Sequence, residues 1–470
     1  MTQRVAVVGG GISGLAAAFH LRELATAREI PLEVTVLEAS TRTGGALHTI
    51  VREGFVLEAG ADSFISDKPE ALDLAGKLGL EGDLMGTLEA HRRAFVIHRG
   101  KPVEVPRGFS LLAPALIAPI LETPLFSLTG KLRILIEPFI KARRGGGDES
   151  LAGFVRRRLG QEALDRLVQP LAAGIYMGDP AMLSMQAAFA RFVMLEREHG
   201  SLMRGMRALR RNPAGGAGGV RWNLFLSLRG GMASMVRAIE DRLGESIKLG
   251  AEAIDLARNG AGWRIVMRDN SEIEADAVVC AAPAYAAARL LREVDADLSR
   301  ALASIEYVSS ATVNLAYDAA AMPDLPDGFG VLVPAIERRR IAALSFSSLK
   351  FLNRAPTGKV LMRAFVGGAL NPEIMRLSTE AMIDVVRDEL REILGIRSAP
   401  LFTYAWRWPR SMPQYQVGHL ERVAEIEQQA AAVNSFALAG AAYRGVGIPD
   451  CVRSGIRAAE SVFSQLAAQG

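Results

Sequence analysis

Three glycines, Gly9, Gly11 and Gly14, stand in the stretch VAVVGGGISGLAAA at the spacing G-x-G-x-x-G. The first permits a tight turn, the second lets a phosphate approach the backbone, and the third lets a helix pack on a strand. The free N–H groups and the positive dipole end at the start of that helix then face a pyrophosphate. Ser13 can add a hydroxyl. Glycine turns are common, so the pattern is weak alone, but its context strengthens it. Glu38 closes the run EVTVLE, 24 residues after Gly14, where a carboxylate accepts hydrogen bonds from both ribose hydroxyls. It would repel a 2′-phosphate, which disfavours NADP. The chemistry implied is the binding of an adenine dinucleotide.

The surroundings point to FAD rather than NAD. Ala39 is followed by Arg42, which can pair with the pyrophosphate, and by Gly44 and Gly45, which permit close backbone approach. A second strand–turn–helix signal lies at 437–455, ALAGAAYRGVGIPDCVRSG. Gly440, Gly445 and Gly447 leave room for a bulky ring. A helix beginning near Pro449 would aim its N-terminus there, where its dipole stabilises negative charge on a reduced flavin. An ordinary capping loop is the bland alternative. Cys451 at that helix start reads as a small packed hydrophobe rather than a reactive thiol.

Several elements must position these residues. RVAVV (4–8) reads as a buried strand, 14–25 as a helix and 33–38 as a second strand, which makes a βαβ unit. The pattern is helical over 149–210, alternating over 247–282, strand-rich over 304–367 and helical over 376–394. A last strand at 436–440 precedes a helix over 449–467. Glycine-rich breaks fall at 145–148 and 212–219. The stretch 107–141 is different: an apolar run broken by Pro114 and Pro119, then a segment carrying Lys131, Arg133, Lys141, Arg143 and Arg144. Short helices of this kind cannot span a bilayer but can lie in its interface. A helical subdomain packed on its own core is the alternative.

Composition removes other classes. The 470 residues are 50% hydrophobic and 23% charged, with 46 glycines and 21 prolines, which excludes a disordered or collagen-like chain. Two cysteines, Cys280 and Cys451, rule out a disulfide scaffold and a four-cysteine zinc site, and the six histidines never pair at zinc-binding spacing. No metal is expected. Net charge is only +4, and 47 of the 55 basic residues are arginines with no basic block interleaved with aromatics, so no nucleic-acid partner is expected. Mean hydropathy is high at +0.17, yet no uncharged run is long enough to span a membrane. The N-terminus runs straight into a strand and does not read as a signal peptide.

Several segments together carry a resemblance to a family. These are GGGISGL…LE…R-x-GG, RGGM (229–232), GIYMGDPAMLSM (174–185), LEREHGSL (195–202), DGFGVLVP (327–334), MPQYQVGHLERV (412–423) and GAAYRGVGIPDC. Across essentially the whole chain they resemble the oxygen-dependent protoporphyrinogen/coproporphyrinogen oxidase group of the amine-oxidase-type FAD flavoprotein superfamily. The internal segments are far more specific than the glycine fingerprint.

The resemblance implies an α/β fold with a discontinuous, Rossmann-like FAD domain of the two-dinucleotide-binding type (1–65, 221–286, 430–470). It also implies a mixed-sheet substrate domain (66–95, 287–429) and a helical membrane-binding domain (96–210). The implied reaction is three two-electron oxidations of protoporphyrinogen IX to protoporphyrin IX in haem biosynthesis. Flavin N5 would be the hydride acceptor, with oxygen reduced to hydrogen peroxide. Coproporphyrinogen III, with four propionates instead of two, is the alternative substrate. No catalytic acid–base pair is expected, because the protein supplies placement and electrostatics.

By the same likeness, Arg93 matches a propionate partner, Leu332 and Leu344 the apolar residues gripping one ring, Phe365 the wall opposite, and Gly174 a backbone facing pyrrole N–H groups. Asp62 joins these substrate-binding residues, at a position where some relatives carry asparagine near the flavin. The resemblance extends the cofactor contacts to Gly60, Ala61, Ile254, Trp408, Val446 and Ile448. A surface ion pair for Arg93, core packing for Leu332, Leu344 and Phe365, and a domain-interface role for Trp408 are the bland alternatives.

Peripheral attachment to the cytoplasmic face of the membrane is expected, with the cytoplasm as the alternative. A homodimer and hand-over to the next haem-pathway enzyme are further family expectations. An amine or polyamine oxidase is the nearest rival. Here, however, no lysine occurs between Lys248 and Lys350, Ala46 replaces the arginine after the double glycine, and no cysteine lies between 281 and 450 for covalent attachment. FAD is therefore expected to be noncovalent.

Overall fold

Val5, Ala6, Val7 and Val8 are all buried, as a strand covered on both faces requires. In the computed structural model, which describes residues 2–110, 112–143, 145–211 and 224–468, Gln3–Val8 is the middle strand of a five-stranded parallel sheet. The order is Ile247–Leu249, Leu32–Glu38, Gln3–Val8, Ala277–Cys280, Phe436–Leu438. Both ends of the chain thus build one sheet. The glycine-rich stretch 212–219 and Arg144 lie outside the described residues.

The first helix, Ile12–Ala27, and the last, Ile448–Ala467, cross closely on this sheet. A Cβ on Gly455 would collide with the Ser13 carbonyl oxygen, so the crossing depends on glycine. The helix Glu70–Lys77, expected in a substrate domain, instead packs Ala71, Leu74 and Ala75 into this same core. The helix His419–Ala432 likewise buries Val423, Ile426 and Ala430 against Val278, Cys280 and Phe436 on the sheet's other side. Their sequence neighbours gave no sign of this, because the apolar faces meet partners hundreds of residues away.

A seven-stranded mixed sheet runs Phe402–Pro413, Tyr307–Asp318, Lys359–Gly367, Ile341–Ser345, Gly330–Leu332, Phe95–His98, Lys101–Glu104. One face is covered by the helix Thr379–Leu394, which Ser378 caps by accepting from the Ala381 N–H and Gly395 ends in a left-handed turn. Met382, Val386 and Leu390 meet Val313, Leu315, Met362 and Ala364 there. The other face receives the strand Phe55–Glu58 through Phe55, Leu57, Leu361 and Phe402.

Helices fill most of the stretch 149–210, as its pattern predicts, from Leu151–Arg158 to Leu202–Arg211, with a non-helical break at 177–184. The apolar run before them is not helical. Phe109–Ser110 and Ala113–Pro114 pair as a short antiparallel hairpin, and only Ala118–Glu122 forms a helix. Proline removes a helical donor and pushes the residue before it into extended backbone. The helical part has its own buried core, with Arg158 and Glu137, both fully buried, ion-paired inside it. Glu137 also accepts from Ser201 Oγ and the N–H groups of Leu202 and Met203, holding the start of Leu202–Arg211. Among the described residues no helix is long and apolar enough to cross a membrane.

Candidate functional site

Val8, Cys280 and Leu438 stand level at the carboxyl edge of the parallel sheet. In open α/β sheets this edge is where ligands bind. The chain leaves Val8 through Gly9 at φ +106°, where a Cβ would lie 2.9 Å from the Ala281 backbone. A Cβ on Gly14 would collide with the Gly9 carbonyl oxygen. Gly11 differs, because a Cβ there would meet nothing within 4 Å, and the same is true of Gly440. The two open glycines belong to the loops that lead into the first and last helices. Gly11 and Gly447 are the N-caps of these helices, and neither has a side chain that caps it. Two uncapped helix starts beside open glycine backbone fit a pyrophosphate and an attached ring.

Glu38 lies at the rim of the same crevice. Its carboxylate accepts from the N–H groups of Gly10 (2.7 Å) and Ser40 (2.8 Å). A carboxylate has about four acceptor positions, so two remain for ribose hydroxyls. The Ala251 N–H donates to the Glu38 carbonyl (2.8 Å), and Ile254, three residues on, is exposed on the next strand. Gly44 bridges Gly11, and Gly45 sits so that its Cβ would lie 3.3 Å from Gly11 Cα. Arg42 braces that turn: its guanidinium donates to the carbonyls of Thr43 (2.9 Å) and Gly45 (2.7 Å) and lies over Trp406 and Trp408. Ser13 is buried and hydrogen-bonds the Cys451 thiol, whose pKa burial pushes up to about 12. Cys451 is thus a packed thiol, not a thiolate.

The segment Glu58–Gly60 connects the crevice to the mixed sheet. Four side chains of one sheet face hold its carbonyls. Thr312 Oγ1 (2.7 Å) and Trp408 Nε1 (2.8 Å) donate to Ala59, Asn314 Nδ2 (3.3 Å) to Glu58, and Arg363 to Gly60 (2.7 Å) and Glu58 (3.2 Å). Gly60 packs under the Trp408 ring, and the Ala61 N–H donates to the Ala46 carbonyl (3.1 Å).

Asp62 follows, with its carboxylate between Lys350 Nζ (2.9 Å), Arg363 (3.0 Å) and Ser63 Oγ (2.7 Å). Burial alone would raise its pKa. The two cations outweigh burial and hold it well below the usual carboxylate range. Its polar atoms are committed to this cluster.

Sequence reasoning missed Glu58. Burial raises its carboxyl to about 7, against the opposing pull of the Met232 N–H, Arg354 and Thr49. It accepts from Met232 N (2.8 Å) and Thr49 Oγ1 (2.8 Å) and so clamps the RGGM turn, where Gly231 has φ +86°. The clue was RGGM itself, which has no visible purpose until its distant partner is placed.

The second wall is set by strand register. Leu332, Ala343, Phe365, Thr312 and Trp406 pair in turn across five strands and share one face. A Cβ on Gly174 would lie 3.7 Å from Leu332 Cδ2. Val446, one residue before the N-cap Gly447, packs against the same helical core as Leu332. Ile448 is buried in the first helical turn. The structure thus brings Gly174, Leu332, Phe365 and Val446 to one side.

It does not bring Leu344 there. Leu344 pairs with Val331 and Ala364, points to the opposite face and is buried under the helix Thr379–Leu394. Arg93 is about one-third exposed and ion-paired with Asp327, which also takes His91. Among the described residues no cluster of three or more His, Cys, Asp or Glu is placed to hold a metal.

The family model for flavin containing amine oxidoreductases matches residues 12–463. The chain is 34% identical to the coproporphyrinogen III oxidase of Bacillus subtilis (strain 168), covering 99% of this chain and 98% of that protein. It is 32% identical to the chloroplastic protoporphyrinogen oxidase of Nicotiana tabacum, covering 97% and 84%. A crystal structure from Exiguobacterium sp. 255-15, described as a protoporphyrinogen oxidase, superposes with TM-score 0.87 at 29% identity, covering 98% and 99%.

Proposed function

The chain belongs to the flavin containing amine oxidoreductase family, in its porphyrinogen-oxidase branch, and from that premise we propose that it oxidises a porphyrinogen to the porphyrin with noncovalent FAD and oxygen. The observation that carries the reading is full-length likeness to porphyrinogen oxidases, joined here to a dinucleotide cradle beside an apolar wall. The balance is three two-electron steps, with six electrons and six protons leaving the macrocycle and three oxygen molecules becoming three hydrogen peroxides.

FAD, when bound, supplies the hydride acceptor and the place of oxygen reduction. The chain's residues supply the rest. Gly11 opens the backbone to the pyrophosphate on a turn that Gly9 and Gly14 keep tight, Glu38 takes the ribose, and Gly44 and Gly45 close over the loop with Arg42 as brace. Gly440, Gly447 and Ile448 bring the last helix to the ring. Leu332 and Phe365 offer an apolar surface to a flat macrocycle, with Gly174 permitting close approach, and exclude water from the reacting carbon.

Two substrates each have their own support. Near-complete coverage of the Bacillus subtilis coproporphyrinogen III oxidase favours the four-propionate macrocycle. Protoporphyrinogen IX is favoured by the exposed apolar surface of 116–139, where Leu128 is 84% and Phe139 81% exposed beside Leu121 and Leu132. Such a surface suits peripheral attachment to a membrane that carries an apolar substrate. Lys131 and Arg133 do not edge it freely: Lys131 donates to the Leu121 carbonyl, and Arg133 to the carbonyls of Arg156, Arg157 and Arg158. Turnover of both porphyrinogens by the purified holoenzyme, followed by porphyrin fluorescence, selects between them. Flavin bleaching by spermine or benzylamine, and by neither porphyrinogen, would refute the proposal.

A further inference from the structure

The signature MPQYQVGH has no part in the chemistry above, yet it touches both halves of the site. The segment leaves the mixed sheet at Pro413 and enters the helix His419–Ala432. Tyr415 is buried, and its hydroxyl donates to the Ala441 carbonyl (2.6 Å) and accepts from the Gly445 N–H (2.7 Å). One oxygen thus pins both ends of the loop that precedes Val446, Gly447 and the last helix. The Tyr415 ring stacks on His419 at 4.0 Å and 16°. His419 is fully buried, and its Nε2 lies 3.0 Å from the carbonyl of Tyr443, the middle of the same loop. A carbonyl only accepts, so the proton is on Nε2. Burial, with Arg422 and Arg444 nearby, lowers the ring's pKa to about 4 and keeps it neutral.

The same segment grips the other wall. Gln414 Nε2 donates to the Tyr176 carbonyl (3.0 Å), at the end of the helix that carries Gly174. The Tyr415 carbonyl accepts from Ser184 N (2.7 Å), and Val417 N donates to the Met182 carbonyl (2.9 Å).

We propose that Tyr415 and His419 are positioning residues that fix the loop Ala441–Gly445, and with it the start of the last helix, against the flavin and in register with the substrate wall. The inference rests on FAD binding by this loop and not on which porphyrinogen is oxidised. Without the Tyr415 hydroxyl, a partly buried carbonyl and N–H lose their partner and the loop is free to shift. The helix start then stabilises the reduced, negatively charged ring less well.

The test uses the holoenzyme and three variants. Tyr415→Phe keeps the stack and loses the hydroxyl, His419→Leu loses the donor, and His419→Gln keeps one. The readouts are FAD release on dilution, by flavin fluorescence, and the two-electron midpoint potential. Tyr415→Phe and His419→Leu are expected to release FAD about tenfold faster. Their potentials should move by about 30 mV to the negative side, the two-electron equivalent of tenfold. His419→Gln should stay within about twofold of the parent. A lower Tm with release and potential unchanged overturns the proposal, since it would leave only a packing role. So does equal damage by His419→Gln and His419→Leu, which decides the matter even if Tyr415→Phe does not fold. A parent protein that holds no FAD would refute flavin binding itself, a separate failure.

Discussion

Replacing Gly11 by alanine should empty the cofactor site without harming the fold. The reason is geometric. Gly11 has φ −69° and ψ 173°, extended backbone that alanine adopts freely, and its added methyl would meet nothing within 4 Å. Restricting the unfolded chain should even stabilise the free protein slightly, by about 0.4–1 kcal/mol. The same methyl would stand where a phosphate must approach the N–H groups of the first helix. We expect FAD affinity to fall at least ~100-fold, about 2.7 kcal/mol. Gly14→Ala, three residues on, should do the reverse. Its methyl collides with the Gly9 carbonyl oxygen, and overpacking of this kind costs ~1–3 kcal/mol of stability. The assay is flavin absorbance per protein after purification, with thermal unfolding of the FAD-free form. Gly11→Ala retaining a full complement of flavin, or Gly14→Ala unfolding like the parent, would refute this account of the crevice.

Glu58 carries a pH signature. Its folded pKa, about 7, lies above the ordinary carboxyl value of 4.5, so this group's contribution is complete below pH 4.5 and is lost as pH rises through 7. The shift corresponds to about 3 kcal/mol as an upper estimate. Glu58→Gln should flatten the stability profile between those values and unfold no more easily at pH 8, and an unchanged slope in urea titrations counts against it. Arg158→Met strands the buried Glu137 carboxylate and should cost ~3–5 kcal/mol in chemical denaturation, whereas replacing both partners with apolar residues should cost much less. Exchanging Leu128, Leu132 and Phe139 for serine should abolish co-sedimentation with phospholipid vesicles while porphyrinogen turnover in detergent persists. Retained sedimentation would show that this surface serves another purpose.

What could be read from the chain alone was local. The glycine fingerprint, Glu38, the double glycine and the C-terminal loop each carry their meaning within a few residues. Strand facing was not legible. In Ile341–Ser345 four of five residues are buried, so no alternation marks which side Leu344 takes, and register alone turns it from the wall into the core. The hairpin at 109–114 was hidden because an apolar run has no period to distinguish strand from helix. The buried polar system was invisible for a third reason. Glu58 finds Met232, and Asp62 finds Lys350, across separations that no motif encodes.

The parallel sheet has a consequence for how the protein is made. Its middle strand, Gln3–Val8, is synthesised before the other four, whereas the edge strand Phe436–Leu438 follows about 430 residues later. At ~5–20 residues per second the ribosome delivers that strand tens of seconds later. Until then the face of the first helix that packs on Ile448–Ala467 stays uncovered. Once both are made, Gln3 Nε2 donates to the Leu466 carbonyl (3.3 Å), tying the early strand to the late helix.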